Sequence, residues 1–128
     1  MISDIRVFLC DDDHLRFFGE GPCRLLHLIE ETGSLRAAAM SMGMAYTKAL
    51  AIMRRAEKNL GFPLTARRIG GKGGGGSVLT PKAKEFLQDY ETYRDACIQS
   101  SRELYTQIFS KYSRNNSGAD GAREFPGN

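Results

Sequence analysis

The stretch that decides the fold is Ser34-Leu35-Arg36-Ala37-Ala38-Ala39-Met40-Ser41-Met42-Gly43-Met44-Ala45-Tyr46-Thr47-Lys48-Ala49-Leu50-Ala51-Ile52-Met53-Arg54-Arg55-Ala56-Glu57-Lys58-Asn59-Leu60. Ser34 is a good helix cap. A short helix follows over Leu35–Met42, and Gly43 ends it. A longer helix begins near Ala45 and runs to Leu60, where Gly61-Phe62-Pro63 stops it. Ala49, Met53, Ala56 and Leu60 recur with helical spacing and form one apolar stripe. The alanines at 37, 38 and 39 allow two helices to approach closely. Two helices joined by a glycine turn read as a helix-turn-helix. At 100° per residue, Thr47, Ala51, Arg54 and Lys58 point away from the stripe, with Lys48 and Arg55 beside them.

The segment after this pair reads as a hairpin. Leu64–Ile69 is strand-like, and so is Ser77-Val78-Leu79. Between them lies Gly70-Gly71-Lys72-Gly73-Gly74-Gly75-Gly76, too rich in glycine for a regular element. Arg67, Arg68 and Lys72 bring positive charge to this wing. Successive backbone N–H groups in such a loop can cradle an anion. The run is not a phosphate-binding P-loop, because Gly71-Lys72 is followed by Gly73 and not by a hydroxyl residue.

Upstream, Ile5–Cys10 and Leu15–Phe18 read as a hairpin around Asp11-Asp12-Asp13-His14. The three aspartates lack the alternating ligands and central glycine of a calcium loop. A helix then opens near Pro22 and carries Leu25, Leu26, Leu28 and Ile29 to Gly33. His27 sits among these apolar residues as a packed or surface histidine. Downstream, Thr80-Pro81 starts a helix without glycine or proline to about Tyr112. Phe86, Tyr90, Tyr93, Cys97, Leu104 and Ile108 make a near-heptad seam along it, which predicts self-association. From Ser113 onward the composition is that of a disordered tail.

Charge is distributed unevenly. Residues 1–33 carry three basic and seven acidic side chains, residues 34–84 carry ten basic and one acidic, and residues 85–128 carry five and seven. The middle third is a positive field whose natural partner is a polyanion. Small residues flanked by Arg and Lys on the outer helix face suit a major groove. The expected partner is therefore double-stranded DNA, with Thr47 and Arg54 on bases and Lys48, Arg55 and Lys58 on phosphates. Arg67, Arg68 and Lys72 would lie along the backbone or minor groove.

Other classes find little support. Cys10, Cys23 and Cys97 have no C-x-x-C spacing, so neither metal nor disulfide is expected. No carboxylate pair or nucleophile–base motif stands out, and His14 and His27 are the only histidines. Neither an enzyme nor a cofactor is expected. There is no bilayer-length apolar run, and the Met1-Ile2-Ser3-Asp4 start does not resemble a signal peptide. These features predict a cytoplasmic protein that makes no membrane contact. A protein-interaction module that keeps the same shape is the alternative.

Several of these segments together resemble a known family. Gly33-Ser34-Leu35 with its alanines, Gly43-Met44-Ala45-Tyr46, and Arg67 through the glycines to Val78-Leu79-Thr80 are similar to the N-terminal domain of ModE-type molybdate-responsive regulators. The Leu60-Gly61-Phe62-Pro63-Leu64 step is similar to the broader LysR-type DNA-binding domain. The resemblance covers roughly residues 5–95. It implies a winged helix-turn-helix with an N-terminal hairpin and a long dimerisation helix, and DNA contacts from Tyr46, Thr47, Lys48 and the wing. The family usually has serine and tryptophan where this chain has Ala45 and Leu50, so different base preferences are expected. Family members also carry C-terminal molybdate-binding domains. No such domain is read here, so molybdate sensing is not expected, and any effector sensing would fall to a separate protein.

The combined expectation is a mainly α protein with small β elements. Residues 1–80 form the winged helix-turn-helix, 81–112 the dimerisation helix and 113–128 the tail. Its expected role is that of a transcriptional regulator, binding an inverted-repeat site as a homodimer.

Overall fold

In the computed structural model, which describes residues 1–69 and 76–112, glycines and hydroxyl caps set the element boundaries. The order is β1 (Leu9–Cys10), β2 (Arg16–Phe18), α1 (Glu20–Thr32), α2 (Leu35–Ser41), α3 (Tyr46–Leu60), β3 (Thr65–Arg67), β4 (Ser77–Leu79) and α4 (Pro81–Phe109), with a 3-10 turn at Ser110–Tyr112. Gly33 ends α1 in the left-handed region at φ 73°. One residue later, the Ser34 hydroxyl accepts from the Ala37 amide and opens α2. Gly43 and Gly61 also have positive φ, at 70° and 84°. Thr80 Oγ1 accepts from the Ala83 amide and caps α4, and Pro81 takes the first helical position.

The described chain divides into two compact units. One is Arg6–Arg94. The other combines Met1–Ile5 with the chain from Asp95 onward, so the division falls inside α4 and not at its start. The first unit holds the core. Leu25, Leu26 and Ile29 of α1 meet Ala38 and Ala39 of α2, then Ala49, Met53 and Ala56 of α3. Leu64 and Leu79 close one end, while Ala83, Leu87 and Tyr90 of α4 and Phe18 of β2 complete the cluster. Helices α2 and α3 present buried alanines to the larger side chains of α1, which lets the helices pack closely. This is the winged-helix-like α+β fold that the charge and glycine patterns predict.

The N-terminal hairpin is much shorter than expected. Only Leu9–Cys10 pairs with Arg16–Phe18, and the register slips between Leu9 and Cys10. Two local bonds to Asp11 and one distant bond to Val7 account for this. The Asp11 carboxylate accepts from the amides of Asp13 and Leu15, which shapes the turn, with His14 at φ 65°. The Val7 carbonyl, which a longer ladder would use, instead accepts from the Tyr90 hydroxyl at 2.8 Å. The Phe18 ring packs edge-on against Phe86 and Tyr90, at 4.8 and 5.0 Å between centroids.

The second unit has its own contacts. Tyr105 donates to the Met1 carbonyl at 2.8 Å and stacks on Phe109. Leu104, Ile108 and Phe109 are exposed. No helix among the described residues is long and apolar enough to cross a membrane.

Helix α3 starts without a side-chain cap, because Ala45 occupies the cap position in an extended conformation. A hydroxyl there would satisfy one of the open amides of the first turn. Ala45→Ser is expected to raise stability by about 1 kcal/mol, read as a shift of the urea midpoint with unchanged slope. A lower midpoint would show that the α3 start is already satisfied.

Candidate nucleic-acid interface

The helix pair positions one cationic surface. The α2–α3 turn is held by the Met44 amide, which donates to the Ala39 carbonyl at 3.0 Å. With Ala49, Met53 and Ala56 facing inward, the opposite side of α3 is set by geometry. Thr47, Lys48, Ala51, Arg54, Arg55 and Lys58 are all exposed. Tyr46 is half-buried, and the Arg36 guanidinium lies 4.1 Å over its ring. Arg36 therefore joins this surface. The sequence shows it in the first turn of α2, but only the fold reveals its stacking partner.

Two of the expected contact residues, Arg55 and Arg68, are exposed and also have partners within the chain. Arg55 Nε donates to the Arg16 carbonyl at 2.9 Å, and its Nη2 lies 3.7 Å from Asp11. It straps α3 to the N-terminal hairpin. The Leu15 amide, and after it the Asp13 amide and Arg55, hold the Asp11 carboxyl below its usual value of 3.8. That contribution is present above pH 3.8 and is lost as pH falls through the lowered value. The strap is therefore intact at neutral pH. Arg68 also has neighbours within the chain. Its guanidinium folds back against Gly33 and Gly76, close enough that a Cβ on either glycine would lie within 3.0 Å of it. It lies against the base of the wing and, like Arg67, is exposed.

The wing is a regular antiparallel pair with Thr65 opposite Leu79, Ala66 opposite Val78 and Arg67 opposite Ser77. It is tied to the α1–α2 turn by the Ser77 amide, which donates to the Gly33 carbonyl at 2.8 Å. Lys72 and the glycines at 70–75 lie outside the described residues.

The acid within the basic segment has a structural use. Glu57 accepts from the Leu64 amide at 2.8 Å and shapes the step into β3. Its charge is thus turned toward the backbone and does not neutralise the outer face of α3.

The expected dimerisation seam is only partly outward. Tyr90 is 2% exposed and Phe86 is packed against the core, because both enclose Phe18. Burial pushes the Tyr90 hydroxyl up to about 12, so it stays a neutral donor. Tyr90 is therefore enclosed within its own chain, while Phe86 is half-buried. Tyr93 is exposed, and in the second unit so are Leu104 and Ile108, while Cys97 is half-buried.

A second cluster was not legible in the sequence. Cys23 and His27 on α1 meet Glu91 on α4, with ligand atoms all within 4.8 Å of one another. His27 Nε2 is 2.7 Å from Glu91 Oε2, and Cys23 Sγ donates to the same oxygen at 3.6 Å. Burial, then the Glu91 charge, pushes the Cys23 thiol up to about 12. The i, i+4 spacing of Cys23 and His27 was visible, but Glu91 is 64 residues from His27.

A helix-turn-helix followed by a two-stranded wing defines a winged-helix-like protein. Comparison with known proteins points to particular relatives. The chain is 38% identical over 66 residues to the molybdenum-pterin-binding protein MopB of Rhodobacter capsulatus. It is 40% identical over 72 residues to the molybdenum transport protein ModE of Herbaspirillum seropedicae, and 38% over 68 residues to the transcriptional regulator ModE of Haemophilus influenzae. These matches cover 52%, 56% and 53% of this chain but only 24%, 25% and 27% of the relatives. They support a relation to the ModE family. No protein-family model matches the chain.

The Gly33–Ser77 tie predicts a contrast between two glycines. A Cβ on Gly76 would lie 2.9 Å from the Gly33 carbonyl, whereas a Cβ on Gly21 would meet nothing within 4 Å. Gly76→Ala is expected to destabilise by roughly 1–3 kcal/mol and to speed exchange of the Ser77 amide. Gly21→Ala, within α1, is expected to stabilise by up to about 1 kcal/mol. Equal effects in thermal melts would show that the wing is not seated on that carbonyl.

Proposed function

We propose that this chain is a transcriptional regulator that binds duplex DNA. The observation that carries the reading is the outer face of α3, where Thr47, Lys48, Ala51, Arg54 and Lys58 are together exposed. The kinship with ModE-type proteins supports it. Thr47 and Arg54 read base edges in the major groove. Lys48 and Lys58 hold phosphates, and the Arg36–Tyr46 stack presents a flat cationic edge beside them. Arg67 and Lys72 meet the backbone or minor groove from the wing. Arg55 and Arg68 act as positioning residues, one strapping α3 to the hairpin and one seating the wing.

The matched segment is about a quarter of each relative. The molybdenum named for those proteins is therefore not assigned to this chain. Two copies bind an inverted repeat, with recognition helices in successive major grooves about 34 Å apart. Leu104 and Ile108 supply apolar contact between the copies.

Selection of duplexes from a random pool, followed by gel shifts over a salt series, tests this reading. Arg54→Ala is expected to cost about 1–3 kcal/mol at the selected site and to relax preference at one base position. Lys58→Ala is expected to weaken all sequences alike and to lower the salt slope by about 1. Binding that ignores both changes would overturn the assignment of α3. For the pairing of copies, sedimentation should show a dimer that Ile108→Glu converts to monomer. A dimer that survives this substitution would move the interface elsewhere.

A further inference from the structure

The cluster on α1 and α4 has no part in the nucleic-acid surface described above. Its three side chains are a thiol, an imidazole and a carboxylate, and each offers one donor atom. Cys23 and His27 stand one helical turn apart, so both project from the same face of α1. Glu91 reaches them from α4. The three donor atoms lie within 4.8 Å of one another, so small side-chain shifts bring them to the spacing of a bound ion. Bonds of about 2.0–2.3 Å to a tetrahedral centre separate neighbouring ligand atoms by about 3.3–3.6 Å. Cys23 Sγ and Glu91 Oε2 are already 3.6 Å apart. The 2.7 Å His27–Glu91 pair must open by roughly 0.6 Å to reach that range.

The donor types narrow the ion. A thiolate with an imidazole selects a borderline-soft transition metal over calcium or magnesium, which prefer all-oxygen sites. Charge agrees, since one thiolate and one carboxylate neutralise a divalent ion in a partly buried place. Access is graded. Cys23 is 3% exposed, while the side chains of His27 and Glu91 are 45% and 31% exposed. An ion can therefore enter from solvent and keep a water as its fourth ligand, as three-ligand zinc sites do.

We propose that Cys23, His27 and Glu91 form a zinc site that clips α1 to α4. On binding, the Cys23 thiol loses its proton to solvent, His27 binds through Nε2 as the neutral ring with its proton on Nδ1, and Glu91 binds as the carboxylate. The metal replaces two hydrogen bonds with three coordinate bonds between elements distant in sequence. It raises the stability of the Arg6–Arg94 unit in proportion to the logarithm of the free metal concentration.

Cobalt(II) titration of the tag-free full chain tests this. Expected are a thiolate-to-metal absorption band, visible bands of four-coordinate intensity, a stoichiometry of one ion per chain, and loss of the bands on adding zinc. The Cys10→Ser/Cys97→Ser double variant is expected to keep the bands, and Cys23→Ser to lose the thiolate band. Cys23 is buried, so His27→Gln and Glu91→Gln provide the parallel test at half-buried positions. Each is expected to weaken cobalt affinity at least about tenfold, the lower end of what even outer-shell changes cause. Zinc is expected to raise the melting temperature of the parent more than that of these variants. The site is refuted if stoichiometric cobalt gives no thiolate band or if the band survives Cys23→Ser. It is equally refuted if both glutamine variants bind within twofold of the parent. Any of these results would leave the three residues as a hydrogen-bonded brace alone.

Discussion

The arrangement depends most on the carbonyl of Gly33. That residue ends α1 in a backbone conformation that suits glycine, and Ser34 then starts α2 at once. The same turn accepts the Ser77 amide and makes room for the Arg68 guanidinium. One residue thus fixes the angle between two helices and the seat of the wing. The wing itself is only three residues per strand. A pair so short is marginal alone, so its position is borrowed from the helix turn. Thr80 extends the same logic, because its amide donates to the Leu64 carbonyl and its hydroxyl to the Pro63 carbonyl while it caps α4.

The cationic character of the outer surface also has a structural origin. Glu57 sits among ten basic residues, and its carboxylate is occupied by the Leu64 amide. The strap from Arg55 to Asp11 and the Arg16 carbonyl joins α3 to the hairpin at the surface. Thr47, Lys48, Arg54 and Lys58 are left outward. The surface is therefore not a loose cloud of lysines. It is a helix face whose neighbours are pinned on both sides.

Much of this was legible in advance, and for identifiable reasons. Ser34, Gly43, Gly61 and Thr80-Pro81 act through bonds to residues a few positions away, so spacing alone located the helix ends. The stripe through Ala49, Met53 and Ala56 gave the buried face of α3 and hence its exposed one. What escaped the sequence depended on distant partners. Tyr90 and Phe86 fit a seam by periodicity, yet Phe18 draws both into the core. Arg55 and Arg68 look like their cationic neighbours until Asp11, the Arg16 carbonyl and the Gly33 turn are placed beside them. Val7 looked like ladder and serves a tyrosine. Cys23 and His27 looked inert because the carboxylate that joins them lies on another helix.

The Val7–Tyr90 bond has a consequence for how the chain is made. Its two ends are separated by 83 residues. At a synthesis rate of about 5–20 residues per second, the first end waits roughly 4–17 s for the second. Throughout that interval Phe18 and the apolar side of α1 have no aromatic cover. The early part of the nascent chain is thus sticky until its last long helix emerges, which makes elongation itself, rather than local helix formation, the step that times closure of the core.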